Sequence, residues 1–301
     1  MQRENITFAS GGLSCAGWFY PAQTAAPSAT VVMAHGLAGV KEMRLDAFAE
    51  RFAAAGYHVL VFDYRHFGDS QGMPRQLLDI KKQHEDWAAA VDYARSRDEV
   101  DASGIVLWGS SLSGGHVLAV ADRVGASAVI SQVPHVDGPA STVALGAAQA
   151  LRLTGHGLLD AVRGLTGRAP HYLPASGTPG ATALMTAAEA AGYLGLVPTG
   201  HDFDQRVAAR FVLHISLYSP ARQLKRLTIP VLLQVGTRDQ TTPPAPAIKA
   251  AKKAPSATLA IHEVGHFEPY SGEWFEAFVV EQISFLDHHF SQEDPSCPAR
   301  S

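Results

Sequence analysis

The segment Ile105-Val106-Leu107-Trp108-Gly109-Ser110-Ser111-Leu112-Ser113-Gly114-Gly115-His116 constrains this chain more than any other. A short apolar run reads as a buried strand, and it passes directly into small residues and then into a helical pattern. A strand that turns this sharply into a helix tolerates little beyond hydrogen, hydroxymethyl and methyl groups at the bend. Such a turn lifts a side chain above the carboxyl end of a sheet, and the free N–H groups of the helix start favour negative charge there. The register selects Ser111 as the lifted residue, because Gly109 lies two positions before it, directly after the strand. The strict pattern G-x-S-x-G fails at its last position, where Ser113 stands for glycine; Gly114 and Gly115 follow at once. Ser113 would already lie inside the helix, which disfavours it as the reactive group. A Ser/Gly-rich turn without chemistry also fits the segment taken alone, whereas a P-loop does not, since no G-K-[ST] follows.

The rest of the chain repeats the strand–helix alternation, the mark of a mostly parallel sheet covered on both faces. Residues 6–9 and 13–20 read as a hairpin turning at Gly11-Gly12, and Pro21 ends the ladder. Strands are expected at 29–34, 57–62, 104–108, 126–131, 231–235 and 258–261. Helices are expected at 43–55, closed by Gly56, and at 80–96, 112–124, 245–253 and 273–290. The region 134–220 breaks the rhythm. It is rich in Ala, Gly and Leu, apolar residues recur at helical spacing from Val143 to Leu153, and Gly and Pro interrupt it often. No strand run stands out there. It reads as a helical cap inserted into an α/β core domain made of residues 1–133 and 221–301. The cap would emerge over Ser111 and govern selectivity more than chemistry.

A serine hydroxyl needs a base to become a nucleophile. Asp239 lies in the loop that leaves the strand 231–235, and His266 follows the last strand, in Glu263-Val264-Gly265-His266-Phe267. The small Gly265 lets the imidazole lie over its turn. Ser111, Asp239 and His266 thus stand in the chain order of a triad on a doubly wound sheet, each after a successive strand. Asp239 alone could be a turn residue, and a single histidine among 14 means little. His262 is the nearest rival but belongs to the strand itself; His288 and His289 read as solvent-facing. After the strand ending at Ala34 come His35-Gly36-Leu37-Ala38-Gly39, and the backbone N–H groups of Leu37 and Leu112 are the expected pair of oxyanion donors. His35, Asp63 and Arg65 are read as loop-bracing residues.

Five segments carry a family resemblance: His35-Gly36-Leu37-Ala38-Gly39, Asp63-Tyr64-Arg65 with Gly68-Asp69-Ser70, Gly109 to Gly115, Gly236-Thr237-Arg238-Asp239 and Gly265-His266-Phe267. Over residues 5–133 and 220–290 the chain resembles the α/β-hydrolase superfamily. Within it the chain is similar to the branch holding dienelactone-hydrolase-like esterases, bacterial acyl esterases and fungal polyketide transferases. The resemblance implies ester, thioester or amide substrates and no cofactor. It leaves open hydrolysis, acyl transfer to an alcohol and a non-catalytic receptor on the same fold. Ser111 at the elbow speaks against the dehalogenase and epoxide-hydrolase chemistries, which place Asp there.

Composition trims the alternatives. The net charge of −4, with Lys and Arg unclustered, gives no basic stripe for nucleic acid. No apolar stretch approaches the roughly 18 residues of a membrane span, and the N-terminus has no basic region followed by an apolar run. The two cysteines, Cys15 and Cys297, are read as free thiols in a reducing compartment, hence a cytoplasmic protein. A small-molecule ester or thioester is the expected partner, no metal site is expected, and a homo-oligomer is compatible with the sequence.

Overall fold

The computed structural model describes residues 3–22 and 28–290 of the 301-residue chain. The expectation for Cys297 lies outside the described residues. The chain enters as the antiparallel hairpin β1 (Glu4–Ser10) and β2 (Leu13–Tyr20). Then follow β3 (Ser28–Ala34), α1 (Leu45–Ala54), β4 (His58–Phe62), α2 (Ile80–Arg95), β5 (Val100–Ser110), α3 (Leu112–Val120) and β6 (Ala128–Gln132). Between β6 and the next sheet strand lie α4 (Gly138–Leu145), α5 (Ala147–Leu165), β7 (Tyr172–Pro174), α6 (Ala191–Gly195), β8 (Arg206–Ala208), α7 (Val212–Ile215) and α8 (Ala221–Leu224). The chain closes with β9 (Val231–Gly236), α9 (Pro244–Ala251), β10 (Ala257–His262) and α10 (Gly272–Phe290).

The main sheet runs β1-β2-β4-β3-β5-β6-β9-β10, parallel from β4 onward, with β2 antiparallel to β4. This is the doubly wound α/β fold that the sequence pattern implies. The period of two within each strand sends alternate side chains to opposite faces. Val59 and Val61 join Val106, Trp108 and Ile130 under α1 and α10, while Leu60 and Phe62 join Leu107 and Val129 under α2, α3 and α9. Because both faces are covered there, the central strands β4 and β9 are buried at every position and show no alternation, whereas the edge strand β1 alternates. Helix α1 illustrates the covering layer: Leu45, Phe48, Ala49, Phe52 and Ala53 form its buried stripe, and Gly56 (φ 95°) lets the chain turn back into β4.

Two expectations for the region 134–220 need correction. Its apolar run from Val143 to Leu153 is broken at Gly146, whose φ of 80° separates α4 from α5. Val143 and Leu151 consequently face solvent, while Leu153 is buried. The region also holds a two-stranded antiparallel sheet pairing Leu173 with Val207. Each of its strands spans three residues, too short for an alternation to show, and Pro174 hides one of them further. Cys15 is buried and free. Among the described residues no helix is long and apolar enough to cross a membrane.

Candidate active site

The carboxyl ends of the parallel strands set the site's layout. Ala34 pairs with Gly109 and Gly236 with His262, so the loops that leave β3, β5, β9 and β10 rise on one edge of the sheet. Ser111 is the hinge between β5 and α3, and its φ of 58° with ψ of −121° is a conformation that costs a non-glycine residue energy. The surrounding packing holds it there. A methyl group on Gly109 would lie 2.2 Å from the Ser113 carbonyl oxygen, and one on Gly36 would lie 2.9 Å from Ser111 Cβ. Gly115 faces the His135 carbonyl at 2.2 Å in the same sense, so the helix start is pressed against the chain that leaves β6.

Ser113 explains the departure from glycine at the end of the elbow motif. Its fully buried hydroxyl donates to the His35 carbonyl and accepts from Tyr64 Oη, which in turn accepts from Trp87 Nε1 at 2.8 Å. The extra oxygen ties the helix start to the loop after β3, which a glycine could not do.

The structure brings Ser111, His266 and Asp239 together. Ser111 Oγ lies 2.9 Å from His266 Nε2, and His266 Nδ1 lies 2.7 Å from Asp239 Oδ2. All three are buried. The Asp239 carboxylate also accepts from the Thr241 and Thr242 amides at 2.9 and 2.7 Å and from Thr242 Oγ1 at 2.7 Å. These donors fix its orientation, and the carboxylate beside Nδ1 fixes the imidazole tautomer that leaves Nε2 free to accept the serine proton. Burial alone would lower the His266 pKa, but the Asp239 carboxylate, with Glu189 as a further negative charge, outweighs it and raises the pKa above the ordinary histidine value. In the neighbouring His35 and His135 burial prevails, bringing each down to about 4 and keeping both neutral.

Leu37 and Leu112 both border the cavity that contains Ser111. Leu112 is the first residue of α3, a position whose N–H meets no intrahelical carbonyl. Two cavities meet at Ser111. The larger, about 840 Å³ counted to its open mouth, is walled by Leu145, Leu153, Leu184, Phe211 and Ile215. The smaller, about 390 Å³, is walled by Met43, Leu45, Tyr193, Leu196 and Tyr270 and also contains His266. Leu37 and Met185 border both.

The remaining candidates sit elsewhere. His262 ends β10 and pairs with Glu281 at 3.0 Å, and His288 and His289 face solvent at the end of α10. His35 hydrogen-bonds the Gly36 carbonyl at 3.0 Å through Nδ1. Asp63 accepts from the Lys41 amide and ammonium at 2.8 and 2.9 Å, and Arg65 pairs with the buried Asp86 at 2.5 Å. Glu42, Asp63 and Asp69 are close enough to share a cation, but the Lys41 ammonium already lies within 2.9 Å of each. Sequence reasoning missed Lys41 and Asp86, the partners of Asp63 and Arg65. It also missed Thr242 and Glu189, of which only Thr242, three residues from Asp239, carried any local signal.

Comparison with known proteins agrees with the fold. The profile of the "alpha/beta hydrolase fold" family matches residues 29–272. The chain is 46% identical over 284 residues, covering 94% of it and 93% of the relative, to the "Quorum-quenching protein AidA" of Acinetobacter baumannii (strain MDR-ZJ06). It is 28% identical to the "Polyketide transferase ATR5" of Stachybotrys chlorohalonatus (strain IBT 40285), covering 95% of this chain and 97% of that protein. The crystal structure of the α/β hydrolase GrgF from Penicillium sp. sh18 superposes with a TM-score of 0.81 at 24% identity, covering 97% of this chain and all of the other. The chain belongs to the α/β-hydrolase family.

Proposed function

We propose that the protein is a serine hydrolase that cleaves carboxylic esters or thioesters of small, largely apolar substrates. The observation that carries the reading is the buried relay from Ser111 Oγ through His266 to Asp239, placed where two apolar cavities meet. In the first half-reaction Ser111 Oγ attacks the carbonyl carbon as His266 Nε2 takes the hydroxyl proton. The carbonyl oxygen becomes an oxyanion held by the N–H groups of Leu37 and Leu112. His266 then passes the proton to the departing alcohol or thiol, leaving the acyl group on Ser111. Water repeats the sequence in reverse and frees the acid.

The proton delivered by His266 assigns the two cavities. The leaving group has to depart beside Nε2, and His266 borders only the smaller cavity, so the acyl chain occupies the larger one. In this reading residues 134–220 act as a cap over a core of residues 1–133 and 221–301, since they supply Leu145, Leu153, Leu184, Phe211 and Ile215 to the acyl side. A relative named for quorum quenching accords with a signal molecule as the natural substrate.

A second reading is acyl transfer, in which an alcohol replaces water. The separate apolar compartment beside His266 favours it, because it could hold an acceptor while the acyl chain stays in place. The test is turnover of p-nitrophenyl esters and acyl thioesters of increasing chain length, with and without added alcohol. Hydrolysis predicts free acid as the product throughout; transfer predicts the new ester at the expense of free acid. Absence of turnover across both series would contradict both readings.

A further inference from the structure

We propose that Glu189, carried by the segment between β6 and β9, is a positioning residue that locks the acid-bearing and base-bearing loops of the site to each other. The proposal rests on the reading of Ser111, His266 and Asp239 as a triad. One Glu189 oxygen, Oε1, accepts from the Gln240 amide and from Thr241 Oγ1, both at 2.8 Å; the other, Oε2, accepts from the His266 amide at 2.9 Å. A single carboxylate therefore bridges the residues next to Asp239 and the backbone of His266 itself. Thr241 closes the circuit, because its amide donates to Asp239 Oδ1 at 2.9 Å.

The fit is specific. A methyl group on Gly265 would lie 2.6 Å from Glu189 Oε2, so the glycine before the base makes room for this carboxylate. Among the described residues no Lys or Arg forms an ion pair with Glu189; its charge is met by N–H and O–H donors of the two loops. Those three donors need two acceptor oxygens. Glutamine offers one, and its NH2 would oppose a donor. Four residues on, Tyr193 Oη donates to the Leu37 carbonyl at 3.0 Å, and Gly192 packs against Phe267. The stretch 189–193 thus touches the acid loop, the base loop and the oxyanion loop, so seating the segment 134–220 assembles the chemistry as well as the pocket.

The experiment compares Glu189→Gln and Glu189→Asp with the wild-type chain, and uses Asp204→Asn, which removes an exposed ion pair with Arg206 in the same segment, as a control. Three quantities are read: kcat and KM for an ester that the wild type turns over, the pH profile, and the low-field NMR resonance of the His266 Nδ1 proton. Loss of the clamp displaces reacting groups by a fraction of an ångström, so kcat for Glu189→Gln falls about tenfold to a hundredfold while KM changes by less than about threefold. The charged and titratable groups facing His266 are Asp239, Glu189 and His135. Removing the negative charge of Glu189 therefore moves the acidic limb of the profile to lower pH. Glu189→Asp keeps the charge but is one methylene short; it loses kcat while its acidic limb moves less. The Nδ1 resonance broadens or shifts in Glu189→Gln and stays in place in Asp204→Asn. An unchanged kcat and limb in a folded Glu189→Gln, or a rise in KM alone, would overturn the proposal. The NMR arm needs no turnover. A perturbed resonance in a protein that cleaves no ester would uphold the clamp and fault the hydrolase reading instead; an unperturbed one would reject the clamp.

Discussion

Ser113→Ala separates what the elbow needs for shape from what it needs for hydrogen bonding. The substitution removes one oxygen and leaves room to spare, so no steric penalty arises. It strands two buried groups, however: the His35 carbonyl loses its donor and the Tyr64 hydroxyl loses its acceptor. Each buried polar group left without a partner costs about 1–3 kcal/mol. Trp87 continues to donate to Tyr64, and the phenol hydrogen can rotate in search of another acceptor, which places the sum at about 2–4 kcal/mol. In a chain of this size about 2 °C of melting temperature accompanies each kcal/mol, so the expected fall is about 4–8 °C. The effect on turnover is small, because Ser111 and His266 keep their contact. Differential scanning calorimetry beside ester kinetics checks both halves. A melting temperature within about 1 °C of wild type would refute the claim that Ser113 ties the helix start to the loop after β3. A dead but stable variant would refute the choice of Ser111 over Ser113.

Two further outcomes follow from the titrating groups. His266 has to be neutral to accept the serine proton, and Asp239 and Glu189 raise its pKa against the effect of burial. The acidic limb of kcat/KM therefore lies above the ordinary histidine range, and a chelator leaves the whole profile unchanged. His35, His84 and His135 are held neutral by burial, each brought down to about 4. With the folded pKa depressed, the unfolded chain binds the extra protons first, so stability falls as pH drops from about 6.5 toward about 4. Each histidine adds a slope of up to about 1.4 kcal/mol per pH unit in that window. Urea unfolding between those limits reads the slope, and a flat response would contradict the neutral, buried state of these rings.

Legibility in the sequence followed the range of the interactions. Strands such as Val59–Phe62 and Val231–Val235 were visible because burial on both faces makes them continuously apolar. The stripe of α1 was visible because one packed face imposes the helical period. The candidate site was legible because each residue follows a strand, and a parallel sheet delivers such positions to a common edge. What escaped notice depends on long-range pairing. Lys41 lies 22 residues before Asp63, and nothing in either segment announces the partner. Glu189 stands among alanines and glycines without periodicity, 77 residues before the His266 amide that it accepts from. The break at Gly146 between α4 and α5 was missed because apolar spacing carries across a single glycine even when the backbone does not. The β7–β8 ladder was missed because three-residue strands leave no pattern.

The central claim is that Ser111 is the nucleophile of an acyl-transfer relay, and covalent labelling tests it most directly. The intact protein is treated with a fluorophosphonate, digested, and the modified residue located by mass spectrometry, in parallel with Ser111→Ala. The account predicts one adduct, on Ser111 Oγ, with labelling that slows below the His266 pKa and vanishes in Ser111→Ala. An adduct on Ser110 or Ser113, or equal labelling of Ser111→Ala, would contradict it.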